Sequence, residues 1–275
     1  MLLSEIHPSI YRLSVGVHRA ERRLDWLRQA GPEADADAPA VTPHTVVRHS
    51  SPLLRKLGAV DPALQRSKVG NLRLAAATID GRVLAPGATF SFWRCIGNPS
   101  ARRGYGPGLV LVHGRMSSAV GGGLCQLANL LHWMVLHTPL VIVEHHHHGY
   151  DPFPDSGRVL PFGSGATVFY NYVDYRFHNP GPETYRIRVR LTDESLCGQV
   201  LTDRMPPLVY HVREEGHRFF RREGQVYREN RLWRVAHDRA TGVQVGRELL
   251  AHNVFPVLYE PAPGLVAPDL GGGER

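Results

Sequence analysis

The chain has 275 residues, 43% of them hydrophobic and 21% charged, so a sizeable core is available and wholesale disorder is excluded. Its net charge of +7 favours acidic partners such as phosphates, nucleic acid or anionic envelope polymers, without choosing among them. No apolar run reaches the length of a transmembrane helix, no signal peptide is evident, and three cysteines are too few for a disulfide scaffold, so a cytoplasmic protein is expected.

The first 45 residues predict an N-terminal extension and a linker. Residues 20–30 place Leu24 and Leu27 at helical spacing. Residues 30–43 are rich in alanine, proline and acid, which offer little to bury. We therefore divide the chain into this extension (1–45), a core domain (46–180) and a C-terminal β-rich region (181–275) that could be continuous with the core.

From Pro52 the pattern is helical. Asp61 and Pro62 supply an N-cap and a proline in the first turn, and Asp80-Gly81 is a stop signal. Short strands are predicted at 82–84 and 89–93.

A helix over 124–137 and a strand over 140–147 follow, and residues 166–260 predict strands separated by turns. Residues 185–191 alternate between apolar and arginine side chains, as an antiparallel strand with one wet face does. The predicted fold class is therefore α+β, with a helical N-terminal part, a central cysteine-bearing helix packed on an antiparallel sheet, and a C-terminal region rich in hairpins.

Cys125 lies two residues after three consecutive glycines, Gly121, Gly122 and Gly123, at the start of the predicted helix. The N–H groups and partial positive charge of a helix N-terminus stabilise a thiolate, the reactive form of cysteine. Glycines allow positive φ and a close backbone approach to substrate, and free N–H groups there would form an oxyanion hole. The sequence thus predicts a nucleophilic Cys125 beside a substrate-binding glycine turn, with a buried structural cysteine as the alternative.

The predicted helix also carries a polar stripe. Cys125, Asn129 and His132 fall at i, i+4 and i+7 and share one face. Gln126 lies beside the cysteine and could supply a side-chain donor to an oxyanion. We expect Gln126, Asn129 and His132 to contact substrate, although His132 could equally be a hydrogen-bonded helix residue.

Four consecutive histidines end the predicted strand, and alternation places His145 and His147 on one face of it. An antiparallel return would bring them near the start of the helix, because about eight strand residues match about thirteen helical ones in length. The sequence therefore predicts a Cys–His pair in which His145 or His147 is the general base. The carboxylates that would orient this histidine are Asp174, Asp151 and Asp155.

The histidine cluster, His145 to His148, also allows a metal-binding protein, since His145 and His147 with Cys125 would form a plausible zinc set. No CxxC, HxxxH or HExxH spacing supports a metal, so no cofactor is expected. Cys95 and Cys197 lack such a context and are interpreted as structural. No nucleic-acid-binding motif is present, and no nucleic-acid partner is expected.

Residues 86–200 resemble the VanW family, the accessory proteins of type B vancomycin-resistance clusters and their relatives. The matching blocks are PGATFSFW at 86–93, GGGLCQLANLLHWMVLHTPL at 121–140, VEHHHHGYDPFPDSG at 143–157 and GSGATVFYNYVDYRFHN at 163–179. Flanking similarity extends the likeness to about residues 45–260. Many relatives have aspartate where this chain has Gly165, which leaves Asp174 at the other recurrent acidic position.

The resemblance implies a link to glycopeptide resistance and peptidoglycan, and it brings no settled biochemical activity. Our first hypothesis is a papain-like hydrolase or transferase that acts on an amide bond of a cell-wall peptide. In it Cys125 is the nucleophile, Asp174 orients the base, and Gln126 with the backbone near Gly123 stabilises the oxyanion. The second hypothesis is a non-catalytic module that binds peptidoglycan or its precursors, and the third is the metal-binding protein.

Overall fold

A computed structural model describes residues 8–28, 32–35, 41–54, 62–112, 115–147, 149–151, 154, 160–170 and 172–267. The helices are α1 (Pro8–Arg28), α2 (Pro62–Ile79), α3 (Phe92–Ile96) and α4 (Cys125–Val135). The strands are β1 (His44–Pro52), β2 (Val83–Leu84), β3 (Thr89–Ser91), β4 (Pro107–Val112), β5 (Arg115–Val120), β6 (Val141–Glu144), β7 (Arg176–His178), β8 (Tyr185–Leu191), β9 (Ser195–Thr202), β10 (Leu208–Arg222), β11 (Gln225–Asp238), β12 (Gln244–Pro256) and β13 (Val266–Ala267). The fold is α+β, as predicted.

The strands form several sheets, in which all pairings but one are antiparallel. Their orders are β1-β9-β8-β2, β12-β11-β10-β13, β3-β7-β6 and β4-β5. The parallel pair is β10 with β13. The long hairpins β10–β12 confirm the predicted C-terminal hairpins.

Helices α2 and α4 bury their apolar faces in one large core with the β1-β9-β8-β2 sheet. Leu72 of α2, Leu127 and Leu130 of α4, and Ile187 and Val200 of the sheet are all almost fully buried. Burial of such side chains contributes roughly 1.5–3 kcal/mol each. Strand β8 buries Tyr185, Ile187 and Val189 and turns its arginines outward, as the alternation predicts. Since β8 and β9 pair with β1 and β2, the region after residue 180 shares the core of the preceding one.

Strand β1 was not predicted, and residues 92 and 93 do not form the strand that was predicted for them. The helical pattern was expected from Pro52, but Pro52 ends β1 and the helix begins at Pro62. Pairing with β9, about 150 residues away in sequence, overrides local preference. Residues 92 and 93 belong to α3 rather than to a strand, because the Ser91 side chain accepts the Arg94 N–H and caps a helix there.

Part of the predicted linker packs on the core. Glu33 forms a bridge to Thr89, Asp35 forms one to Val83, and Ala34 between them is 5% exposed. Backbone pairing thus orders a segment whose side chains offer little apolar area. None of the described helices is both long and apolar enough to cross a membrane.

Candidate functional site

Cys125 is the first residue of α4 and is half-buried. Its thiol donates to the backbone carbonyl of Val168, with Sγ 3.7 Å from the oxygen. Burial raises the pKa of this thiol, which is the opposite of what the helix N-terminus alone predicts. Cys125 is therefore a protonated hydrogen-bond donor at neutral pH in this structure.

The polar stripe of α4 faces one piece of backbone, residues 165–168, which we call the 165–168 segment. The Ala166 N–H donates to Asn129 Oδ1 over 2.6 Å, four residues along α4 from the Cys125 contact. His145 reaches the same segment from the other side, with Nε2 2.9 Å from the Gly165 carbonyl oxygen. Groups distant in sequence thus converge on the segment, and their contacts with it are made through its backbone.

The histidines stack with one another instead of pairing with Cys125. The rings of His132 and His145 are parallel, with centroids 4.2 Å apart, and the His145 and His147 centroids are 5.9 Å apart. His132 Nδ1 also lies 3.3 Å from the Tyr175 hydroxyl. Burial and the neighbouring imidazoles lower the pKa of His132 well below its usual value, and burial lowers that of His145. Among the described residues, the Val168 carbonyl is the hydrogen-bond partner of the Cys125 thiol, and no imidazole is.

The glycine turn packs closely against other segments on the side where Cβ atoms would point. Gly121 and Gly123 have φ of +78° and +92°, which only glycine adopts without strain. A Cβ on Gly122 would collide with the backbone of Gly108 in β4, and one on Gly123 would collide with the Lys68 side chain. Close packing and positive φ account for these glycines in the fold, and their role in substrate binding stays a prediction.

A buried asparagine that the sequence analysis missed clamps this turn. Asn71 of α2 is 1% exposed. Its Nδ2 donates to the carbonyls of Gly106 and Gly122, each over 3.0 Å, and its Oδ1 accepts the Gly106 N–H over 2.9 Å. A lone asparagine in a helix is not a signal for such a role, because the partners come from two other segments.

Gln126 does not point its amide at Cys125. Its Nε2 donates to Ser51 Oγ over 3.0 Å and to the Pro52 carbonyl over 2.8 Å. Both amide hydrogens are thereby used to hold α4 against the end of β1. In this geometry the amide of Gln126 is therefore not available as the predicted oxyanion donor.

Asp174 does not orient a histidine either. Its carboxylate accepts from Ser91 Oγ over 2.5 Å, from the Trp93 N–H over 3.1 Å and from its neighbour Tyr175 N–H over 2.9 Å. These bonds fix the start of α3. Burial outweighs the hydrogen bonds and raises the pKa of Asp174 to about 6.

We expect the free energy of unfolding to fall as the pH rises, because the pKa of Asp174 is raised in the folded chain. The folded chain holds the Asp174 proton up to about pH 6, whereas the unfolded chain releases it near pH 3.8, so ionisation costs stability as pH rises through that window. Relative to Asp174→Asn, the wild type should lose at most about 3 kcal/mol of unfolding free energy between pH 4 and pH 7. Urea titrations of both proteins at several pH values measure this difference, and parallel curves would contradict it.

Of the other two carboxylates predicted to orient a histidine, the structure describes Asp151 but not Asp155. Asp151 is 2% exposed and pairs with Arg228, whose Nη1 lies 3.0 Å from Asp151 Oδ2. The Tyr259 hydroxyl donates to the same oxygen over 2.9 Å, so Asp151 ties the C-terminal hairpins to the chain that follows the histidines. Asp155 and His148 lie outside the described residues.

A further carboxylate holds the first helix to the site. Glu144 accepts two bonds of 2.6 Å from Arg22 of α1 and one of 3.1 Å from the Asp174 N–H. Burial alone would raise the pKa of Glu144, but the Arg22 pair overrides burial and holds it below the usual value. Within the described part of the chain, no group of three or more His, Cys, Asp or Glu side chains could hold a metal ion.

The fold and the site define an α+β protein whose central helix begins with a cysteine and packs against a histidine-flanked segment. The family model "VanW like protein" matches residues 67–201. The chain is 35% identical over 203 residues to the Vancomycin B-type resistance protein VanW of Enterococcus faecalis, which covers 74% of each protein. The chain belongs to the VanW family.

A second relative is the uncharacterized protein YoaR of Bacillus subtilis. It is 34% identical to this chain over 125 residues, which are 46% of this chain and 40% of YoaR. No solved structure matches the chain. Family membership links the chain to a vancomycin-resistance protein, and the chemistry has to be argued from the site itself.

Proposed function

We propose that this chain is an accessory protein of glycopeptide resistance that binds a cell-wall peptide or a peptidoglycan precursor without covalent chemistry at Cys125. The link to resistance comes from the VanW relative of Enterococcus faecalis. The observation that carries the non-covalent part is the Cys125 thiol, which is held by the Val168 carbonyl and has a raised pKa. A nucleophilic thiol needs a lowered pKa or an adjacent base.

The other parts of the hypothetical catalytic machinery support the same conclusion. Gln126 holds β1, and Asp174 holds the start of α3. His145 Nε2 donates to the Gly165 carbonyl, which fixes the orientation of the ring, and burial lowers the pKa of His145. The site is therefore a set of satisfied backbone contacts, which is what a rigid scaffold for recognition requires.

The test is a binding titration with soluble fragments released from peptidoglycan by a muramidase. Wild type and Cys125→Ser should bind the fragments saturably, with dissociation constants that agree within about twofold, since serine replaces only the donor to Val168. Absence of saturable binding would contradict the proposal. So would consumption of the fragments by the wild type but not by the variant, which would make the chain an enzyme.

A Cys–His hydrolase or transferase is the second candidate. It is favoured by one observation, namely that Cys125 and His145 both contact the 165–168 segment, through Val168 and Gly165. Displacement of that segment would free both side chains at once. The base would then be His145, in keeping with the sequence-based hypothesis.

Alkylation tests whether the thiol is already activated in the resting protein. Because burial raises the pKa of Cys125, the thiolate fraction is smaller at neutral pH than for an ordinary thiol. We expect Cys125 to react slowly with iodoacetamide at pH 7, and we expect the rate to keep increasing with pH beyond pH 9. Peptide mass spectrometry can follow the reaction. Cys95, whose pKa burial raises to about 12, is the internal slow reference. A rate that reaches its plateau below pH 7 would establish an activated thiolate and favour the hydrolase.

A further inference from the structure

A cavity of about 540 Å³ lies on the β10–β11 hairpin, among residues that neither the sequence analysis nor the proposed function uses. Its polar lining comes from both strands and from the turn after β11. The lining side chains are those of His211, Arg213, His237, Asp238 and Arg239. Pairing of Val209 with His237 and of His211 with Val235 places these positions side by side.

The polar groups left unused in this cavity are donors or imidazoles. Arg213 and His211 are exposed, and within the described chain neither makes a hydrogen bond or ion pair. Arg239 uses Nε on the Pro206 carbonyl, over 2.8 Å, and keeps Nη1 available. The lining also holds one carboxylate, that of Asp238, whose Oδ1 accepts from the N–H and the hydroxyl of Thr241, each over 2.8 Å, and the two arginines of the lining outnumber its negative charge.

Two nitrogen atoms nearby are buried and lack a partner among the described residues. They are Nδ1 of His237 and Nε1 of Trp233. His237 lines the cavity, and Trp233 lies opposite Arg213 in the β10–β11 register. A buried donor without a partner costs roughly 1–3 kcal/mol. The indole N–H of Trp233 is such a donor, and His237 Nδ1 is one in the tautomer that carries its proton there, so an acceptor that reaches either atom would remove part of this cost.

We propose that this cavity is a binding site for an organic oxyanion, a phosphate ester or a carboxylate, whose oxygens accept from Arg213 and the His211–His237 pair. The ring centroids of that pair are 5.3 Å apart. The available groups are donors and the arginines are cationic, so an acceptor-rich anion is the complementary ligand. The cavity is open to solvent, so an anion bound at these donors can be carried on a larger group. The inference is independent of the proposed function.

The test uses the full chain and three small probes on one aromatic carrier: phenyl phosphate, benzoate and benzyl alcohol. The indole N–H resonance of Trp233, assigned with Trp233→Phe, reports binding in an NMR titration. We expect phenyl phosphate or benzoate to shift this resonance saturably and benzyl alcohol not to. A stronger response to phenyl phosphate identifies a phosphate site, and a stronger response to benzoate identifies a carboxylate site.

The variants are Arg213→Gln and His211→Gln, which change exposed side chains and should leave the fold intact. Loss of a charge-assisted bond should weaken anion binding about tenfold or more in Arg213→Gln. Arg222→Gln is the matched control, since it removes the same charge about 30 Å further along β10. Three outcomes overturn the proposal: no anion binds saturably, benzyl alcohol binds as well as the anions, or Arg222→Gln weakens binding as much as Arg213→Gln does.

Discussion

Replacement of Gly122 by alanine should destabilise the protein by about 3 kcal/mol or more. A Cβ at this position would meet the backbone of Gly108, and a strand backbone cannot rotate away as a side chain can. The Asn71 bond to the Gly122 carbonyl would be displaced by the same movement. Urea unfolding followed by circular dichroism measures the loss, with the slope of the transition checked for constancy.

Gly70→Ala is the matched control for this substitution. Gly70 lies within α2, is exposed, and has no atom within 4 Å of its hypothetical Cβ. Alanine there should stabilise the helix by about 0.5–1 kcal/mol. A Gly122→Ala protein within 1 kcal/mol of the wild type would show that the turn has room for a side chain, and would contradict the close packing of Gly122 against Gly108.

The second large effect is expected for Asp151→Asn, which should cost about 3–5 kcal/mol of unfolding free energy. The substitution keeps the shape of the side chain and removes the negative charge that lies 3.0 Å from the Arg228 guanidinium, which is 3% exposed. That guanidinium lies between two aromatic rings, 4.6 Å from the Phe162 centroid and 5.0 Å from the Phe219 centroid. Its Nε also donates to His217 Nε2 over 2.8 Å, which does not neutralise the charge.

A control variant and a second substitution test whether the loss of stability comes from the buried ion pair. Glu215→Gln removes the carboxylate from the Arg247 ion pair, whose side chains are about half exposed, and should cost less than about 1 kcal/mol. Adding Arg228→Met to Asp151→Asn removes the buried guanidinium that has lost the Asp151 carboxylate and should restore part of the stability. Equal losses for Asp151→Asn and Glu215→Gln would contradict the role of Asp151 as the anchor of the hairpins.

Much of the fold could be predicted from local sequence. The stop at Asp80-Gly81 is where α2 ends, and the alternation over residues 185–191 gave strand β8 and its buried face. These features depend on backbone preferences and on the period of hydrophobic residues, both of which act within a few neighbours along the chain. Strand β1 was missed because its partner, β9, lies far away in sequence.

The candidate site likewise has features that the sequence predicts and contacts that form only when the chain folds. The spacing of Cys125, Asn129 and His132 determines that they share one face of α4, since helical geometry alone sets this. What that face meets is decided by the tertiary structure, which packs the backbone of the 165–168 segment against Cys125 and Asn129. It also uses Asp174 to fix α3, because the carboxylate lies next to Ser91 and Trp93 only once the chain has folded.

Composition, motif blocks and residue spacing predict the fold class, the family and the residue types that gather around α4. Which charges are buried, and which hydrogen-bond partners they find, depends on segments that meet only in the folded chain. The protonation state of Cys125 shows the physical reason. A helix N-terminus lowers a thiol pKa through a dipole that can be recognised in the sequence, whereas desolvation depends on every segment that covers the thiol, and here desolvation is the larger effect.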